Sequence, residues 1–129
     1  MIIQQISVFL QNEAGRLVRI TKALQDADIN ISALSIAETS EYGVLRMIVS
    51  DTEKAVAALR AAQYPAKVTD VLCLIAPDVP GSLNKALNLL AAENINVSYM
   101  YGYSSDGKAR LILKTNHLSR AAEILKDFD

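Results

Sequence analysis

The sequence predicts an α+β fold made of two tandem units, each running β-α-β-β-α, with antiparallel sheets and helices on one face. Three observations predict it. The 129-residue chain repeats itself at an offset of 66 residues, as from Gly15 to Gly81. Within each repeat, β-branched apolar runs alternate with stretches of helical apolar period in the same order. Turn chemistry falls at matching points of both copies.

The first run, residues 2–10, has the mixed β-branched and apolar make-up of a strand, and residues 68–75 repeat it. Gly15 and Gly81 then open helical patterns. Leu17, Ile20, Leu24 and Ala27 share one face in the first copy, and Leu83, Ala86, Leu87, Leu90 and Ala91 in the second. Asp28 and Asn94, types that tolerate a left-handed turn, close those helices. Residues 31–37 and 97–103 read as second strands. Glu41-Tyr42-Gly43 and Ser105-Asp106-Gly107 read as turns, and residues 44–49 and 109–113 as third strands. Asp51-Thr52 and residues 116–119 offer caps for a second helix. That helix buries Val56 and Leu59 in one copy, and Ala122, Leu125 and Phe128 in the other.

Further matches pin the repeat: Ile29 with Ile95, Asn30 with Asn96, Ile31 with Val97, Ser32 with Ser98. In the third strands the offset reads as 64, from Gly43 to Gly107 and from Arg46 to Arg110, as though the second hairpin were two residues shorter. It returns to 66 where Lys54-Ala55 meets Arg120-Ala121 and Leu59 meets Leu125. The units divide as residues 1–66 and 67–129. Each follows the ferredoxin-like βαββαβ pattern. An extended stretch follows the second helix of the first unit, whereas the second copy ends at Asp129. The expectation is therefore that Met1-Ile2-Ile3 supplies the fourth strand of the second unit.

Composition narrows the function. Hydrophobic residues make up 51% of the chain, enough for a packed core. Thirteen basic and fourteen acidic residues give a net charge of −1, which disfavours nucleic-acid binding. Cys73 and His117 are the only residues of their types, so neither a disulfide nor a Cys or His metal cluster can form within the chain. No stretch approaches about 20 consecutive apolar residues, and the N-terminus lacks the series of a signal peptide. A cytoplasmic protein without membrane association, metal or cofactor is expected. No clustered Ser/His/Asp or Cys/His set and no phosphate-binding glycine loop is legible, so the chain reads as a non-enzyme.

Two motifs carry the chemistry. Asn12-Glu13-Ala14-Gly15-Arg16-Leu17 is followed by Asn30-Ile31-Ser32, and Asp78-Val79-Pro80-Gly81-Ser82-Leu83 by Asn96-Val97-Ser98. Twice in a βαββα frame, these resemble the ACT domain, a small-molecule regulatory module of amino-acid metabolism. The first copy departs from the pattern, with Ala14 where proline is usual. The resemblance implies an amino acid or related metabolite bound where two units meet, near the turns after the first strands. It is compatible with a homodimer and with an enzyme or regulator as partner. Unit one also resembles the acetolactate synthase small subunit, so the alternative is a regulatory subunit acting by protein contact. A third reading is a transcriptional co-regulator of the tandem type.

The physical logic of such a site is simple. A glycine at a helix start leaves N–H groups pointing outward at the positive end of the helix dipole, a seat for a carboxylate. Asn12 or Asp78 would meet an ammonium. Asn30-Ile31 or Asn96-Val97, at the start of the second strand, would add backbone groups and an apolar wall. Glycine at these turns is equally read as geometry, with Gly15 permitting a close backbone approach. Asn30 and Asn96 are equally read as turn residues, and Glu13 and Arg16 as solvated. Arg46, Arg110 and the alternating Tyr99, Tyr101 and Tyr103 read as sheet-face residues. Cys73 reads as a buried strand residue and His117 as a surface or capping residue.

Overall fold

The computed structural model describes residues 1–11, 13–38 and 42–128. The elements are β1 (Ile2–Gln11), α1 (Arg16–Asp26), β2 (Ile31–Glu38), β3 (Tyr42–Val49), α2 (Thr52–Ala61), β4 (Ala66–Pro77), α3 (Ser82–Ala92), β5 (Val97–Ser105), β6 (Lys108–Thr115) and α4 (Leu118–Leu125). The fold is α+β, as the sequence predicts. The chain forms two compact units, one of Gln4–Thr69 and the other of Met1–Ile3 with Asp70–Asp129.

In the Gln4–Thr69 unit, β3 lies between β2 and β1, antiparallel to both. Strand period two sends Ile6 and Val8 of β1 and Leu45 and Met47 of β3 to one face. There they meet Ile20 and Leu24 of α1 and Ala55 and Leu59 of α2, all fully buried. Ala66, the first residue of β4, packs on the same cluster. Helix α2 starts at Asp51, whose carboxylate accepts the Lys54 N–H at 3.1 Å, and carries Glu53 in its first turn and Arg60 in its last.

The other unit repeats this plan. β6 lies between β4 and β5, again antiparallel to both. Leu72, Leu74, Ala86, Leu90, Leu113, Ala121 and Leu125 form its core, each 66 residues beyond a core residue of the first unit. Phe128 packs against it, with Lys85 Nζ 5.5 Å from the ring centre. Met1 and Cys73 exchange both backbone bonds: the Cys73 N–H donates to the Met1 carbonyl at 2.8 Å, and the Met1 ammonium to the Cys73 carbonyl at 3.3 Å. Met1–Ile3 thus completes this unit, as expected from the sequence.

The register corrects the repeat in the third strands. Ile6 pairs with Met47 and Leu72 with Leu113; Ile36 pairs with Leu45 and Gly102 with Leu111. Both pairings keep the offset at 66, so the hairpins are equal in length and the reading of 64 is wrong. The two glycines do different work. Gly107, with φ +75, forms a two-residue turn with Asp106 at φ 54, whereas Gly43 sits in β3 opposite Leu10 and Glu38. Of the turn read at Glu41-Tyr42-Gly43, Glu41 lies outside the described residues, and Tyr42 and Gly43 are strand residues paired with β1. Even the irregularity is duplicated. The ladder slips between Ile31 and Ala33 and again between Val97 and Tyr99, leaving Ser32 and Ser98 as matching bulges.

Asp28 and Asn94 take left-handed φ values of 59 and 58, as their residue types suggest. His117 precedes α4 with φ 50 and gives no side-chain cap. Arg46 lies across from Ser7 and Ser35, and Arg110 from Ile75 and Tyr103, on the sheet face opposite the core. Among the described residues, no helix is long and apolar enough to cross a membrane.

Candidate functional site

Strand β1 runs into α1 through Glu13, Ala14 and Gly15. The Glu13 N–H donates to the Gln11 carbonyl at 2.8 Å, and the Arg16 N–H to the Glu13 carbonyl at 3.3 Å. Gly15 has φ +87, and a Cβ built there would meet nothing within 4 Å. Glycine is therefore needed for its left-handed backbone, and no protein atom stands close enough to require the missing side chain. Among the described residues, no side chain caps α1, and no acidic residue stands in its first turn. The positive end of the helix is left for other partners.

A cavity of about 290 Å³ opens at this point, lined by Leu10, Glu13, Ala14, Gly15, Leu17, Val18, Ile36, Glu38 and Gly43. Four of the sequence candidates, Glu13, Ala14, Gly15 and Leu17, come together here. Asn12 lies outside the described residues. Arg16 does not line the cavity. Its guanidinium donates to Gln11 Oε1 at 2.9 Å and to Glu13 Oε2 at 3.3 Å. The Tyr64 side chain, and after it Glu13, hold that guanidinium more firmly protonated than usual, against the opposing effect of burial.

Asn30 and Ile31 are placed elsewhere. They line a separate cavity of about 430 Å³ with Thr21, Gln25, Asp28, Ile29 and Ser50. The reason is length. Helix α1 has 11 residues, so it carries the chain about 16 Å away from the turn before β2 begins. β2 then runs back, and its end, not its start, faces the helix N-terminus through Ile36 and Glu38. The Asn30 N–H donates to Ser50 Oγ at 3.0 Å, and the Ser50 N–H to the Asn30 carbonyl at 2.9 Å. Asn96 is held the same way by Asn116, at 2.8 and 3.3 Å. These asparagines tie the strand start to the next helix cap, and Val97 packs into its own unit's core.

The second turn is built alike. Gly81 has φ +88 with open space at Cβ, and α3 has no side-chain cap. The Ser82 N–H donates to the Val79 carbonyl at 3.3 Å, matching Arg16 and Glu13. Val79, Pro80 and Leu83 are exposed and Ser82 is half-buried. Asp78 accepts from Ser104 Oγ at its Oδ2 at 2.7 Å. Ser104 is at the end of β5, the counterpart of Glu38. Sequence reasoning missed Leu10, Val18, Ile36, Glu38 and Gly43. The signal for two of them was the βαβ return itself, which brings the last residues of the second strand beside the first turn.

Other reactive groups lie apart. Cys73 is half-buried, and burial pushes its thiol up, partly offset by the Met1 ammonium and Arg110. No group of three or more His, Cys, Asp or Glu among the described residues could hold a metal ion.

Comparison with known proteins follows the same lines. The structure matches that of a Bacteroides thetaiotaomicron protein at 39% sequence identity and a TM-score of 0.94, over 98% of this chain and 88% of that one. It matches the ligand-free regulatory subunit of aspartate kinase from Thermus thermophilus at 13% identity and a TM-score of 0.70, over 98% and 95%. The regulatory subunit of aspartate kinase from Thermus flavus matches at 12% identity and 0.63, over 98% and 94%. The likeness to these two subunits is one of fold. No curated protein sequence matches. The family described as the ACT domain pair matches residues 1–128.

Proposed function

The chain belongs to the ACT domain pair family, and from that membership we propose that it is a regulatory protein, not an enzyme, that binds an amino acid or related small metabolite. The observation that carries this reading is the cavity at the start of α1, which no side chain among the described residues caps. A ligand carboxylate placed there meets backbone N–H groups and the positive end of the helix dipole. Glu13 and Glu38 line the same cavity, and a carboxylate oxygen of either would accept from the ammonium of a zwitterion alongside its present partner. Leu10, Leu17, Val18 and Ile36 supply apolar surface. Ligand binding acts downstream by favouring one conformation over another, and only by its differential affinity for the two. The downstream partner is an enzyme or regulator met by protein contact, a reading supported by Phe9, a large apolar side chain 74% exposed on the sheet face away from the core.

A thermal-shift panel of the twenty amino acids tests the proposal. A ligand at 100 times its Kd should stabilise by about 2.7 kcal/mol. Val18 is exposed on α1, so Val18→Asp keeps the helix while placing a carboxylate where the ligand's own would sit. A shift seen with the native chain and lost in Val18→Asp supports the cleft. No shift with any amino acid overturns the proposal.

A further inference from the structure

The constant offset of 66 makes the two units comparable position by position, and their clefts are not equivalent. Where the first unit has Leu10, Val18 and Ile36 on the cavity wall, the second has Ala76, Asn84 and Gly102. Three apolar side chains are thus lost or replaced. Gly102 cannot regain one, because a Cβ there would stand 2.6 Å from the Arg110 carbonyl oxygen and 2.8 Å from Leu111 Cδ2. Glu38 is replaced by Ser104, whose hydroxyl is engaged by Asp78. Asn84 is likewise engaged, its Oδ1 accepting from the Asn88 amide at 3.0 Å.

The surviving wall also states what it admits. Among the described residues, the charged groups lining the first cavity are the carboxylates of Glu13 and Glu38. Both are already engaged, Glu13 by the Arg16 guanidinium at 3.2 Å, so the apolar wall decides what is admitted. A ligand with a charged or polar side chain would lose hydration and hydrogen bonds against Leu10, Leu17, Val18 and Ile36. We propose that the chain binds one ligand, in the first unit, and that this ligand is an amino acid with an uncharged aliphatic side chain. This rests on the reading of the cleft as an amino-acid site.

The test is calorimetric titration of the full chain with leucine, isoleucine, valine and methionine, and with serine, aspartate, glutamate and lysine. The expected result is one site per chain and binding of an aliphatic member at least tenfold tighter than any of the other four. Ile36→Thr, at a partly exposed position of β2 on the cavity wall, and Val18→Asn, which copies the second unit, should each weaken it about tenfold or more. Asp78→Asn should leave it unchanged. Tightest binding of a charged or hydroxyl amino acid overturns the inference, as does a stoichiometry of two. So does loss of binding in Asp78→Asn with Ile36→Thr and Val18→Asn unaffected. A charged or hydroxyl preference, or a stoichiometry of two, leaves the first cleft as an amino-acid site, whereas dependence on Asp78 alone removes it. No binding by any of the eight overturns this inference, and the reading of the cleft falls with it if the other twelve amino acids also give no thermal shift.

Discussion

Thr115 occupies in the second unit the place that Val49 holds in the first, opposite Val97 where Val49 faces Ile31. It is 3% exposed, and its Oγ1 has no hydrogen-bond partner among the described residues. A buried hydroxyl left unpaired costs about 1–3 kcal/mol. Thr115→Val removes the polar atom, keeps the shape and copies the other unit. It should therefore stabilise the protein by roughly 1 kcal/mol, measured as a higher midpoint in urea with an unchanged slope. An equal or lower midpoint would mean that the hydroxyl is satisfied. Individual residues are also where sequence reading went astray. Gly43 and Gly107 look alike as letters, but one is a strand residue and the other supplies a left-handed turn. Arg46 and Arg110 are not counterparts, yet each lies on its own unit's face away from the core, because an offset error of two residues preserves strand parity. Asp28 and Asn94 were legible, because few residue types take φ near 60° at low cost.

At the scale of elements, each unit opens its first helix with a left-handed glycine. Gly15 and Gly81 have φ of +87 and +88, and no atom would lie within 4 Å of a Cβ added at either. The cost of alanine at Gly15 is therefore backbone strain alone, about 1–2 kcal/mol. Asparagine, which visits this region more readily, should cost less. Thermal melts of Gly15→Ala and Gly15→Asn give the order, and an equal cost for both would refute a backbone origin. The elements themselves were legible from period and caps, with ends within two or three residues. Their meeting was not. The candidates Asn30 and Ile31 sit at the start of β2, and only the 11-residue length of the helix that leads away from the turn shows that the end of β2 faces it. Ile36 and Glu38 had no motif to mark them, since an isoleucine and a glutamate on a strand are ordinary.

At the scale of the molecule, the second unit is built from two separated stretches of chain, Met1–Ile3 and Asp70–Asp129. Deleting Met1–Ile3 removes both backbone bonds to Cys73 and one strand from its edge. Amide hydrogen exchange at Cys73 and along β4 should quicken, and the melting temperature should fall by several degrees. Unchanged protection at Cys73 would show that the strand contributes nothing to that unit. By itself, the sequence determined the duplication, the order of elements, the two glycine turns and the strand borrowed from the N-terminus, because apolar period and turn chemistry are local properties that repeat in register. The tertiary structure alone decided which residues share a cleft and that the two clefts differ. That choice depends on the register of β2 against β3 and the length of α1, and on a carbonyl at Arg110 that leaves no room for a side chain at Gly102. None of these is written in the residues that line the site.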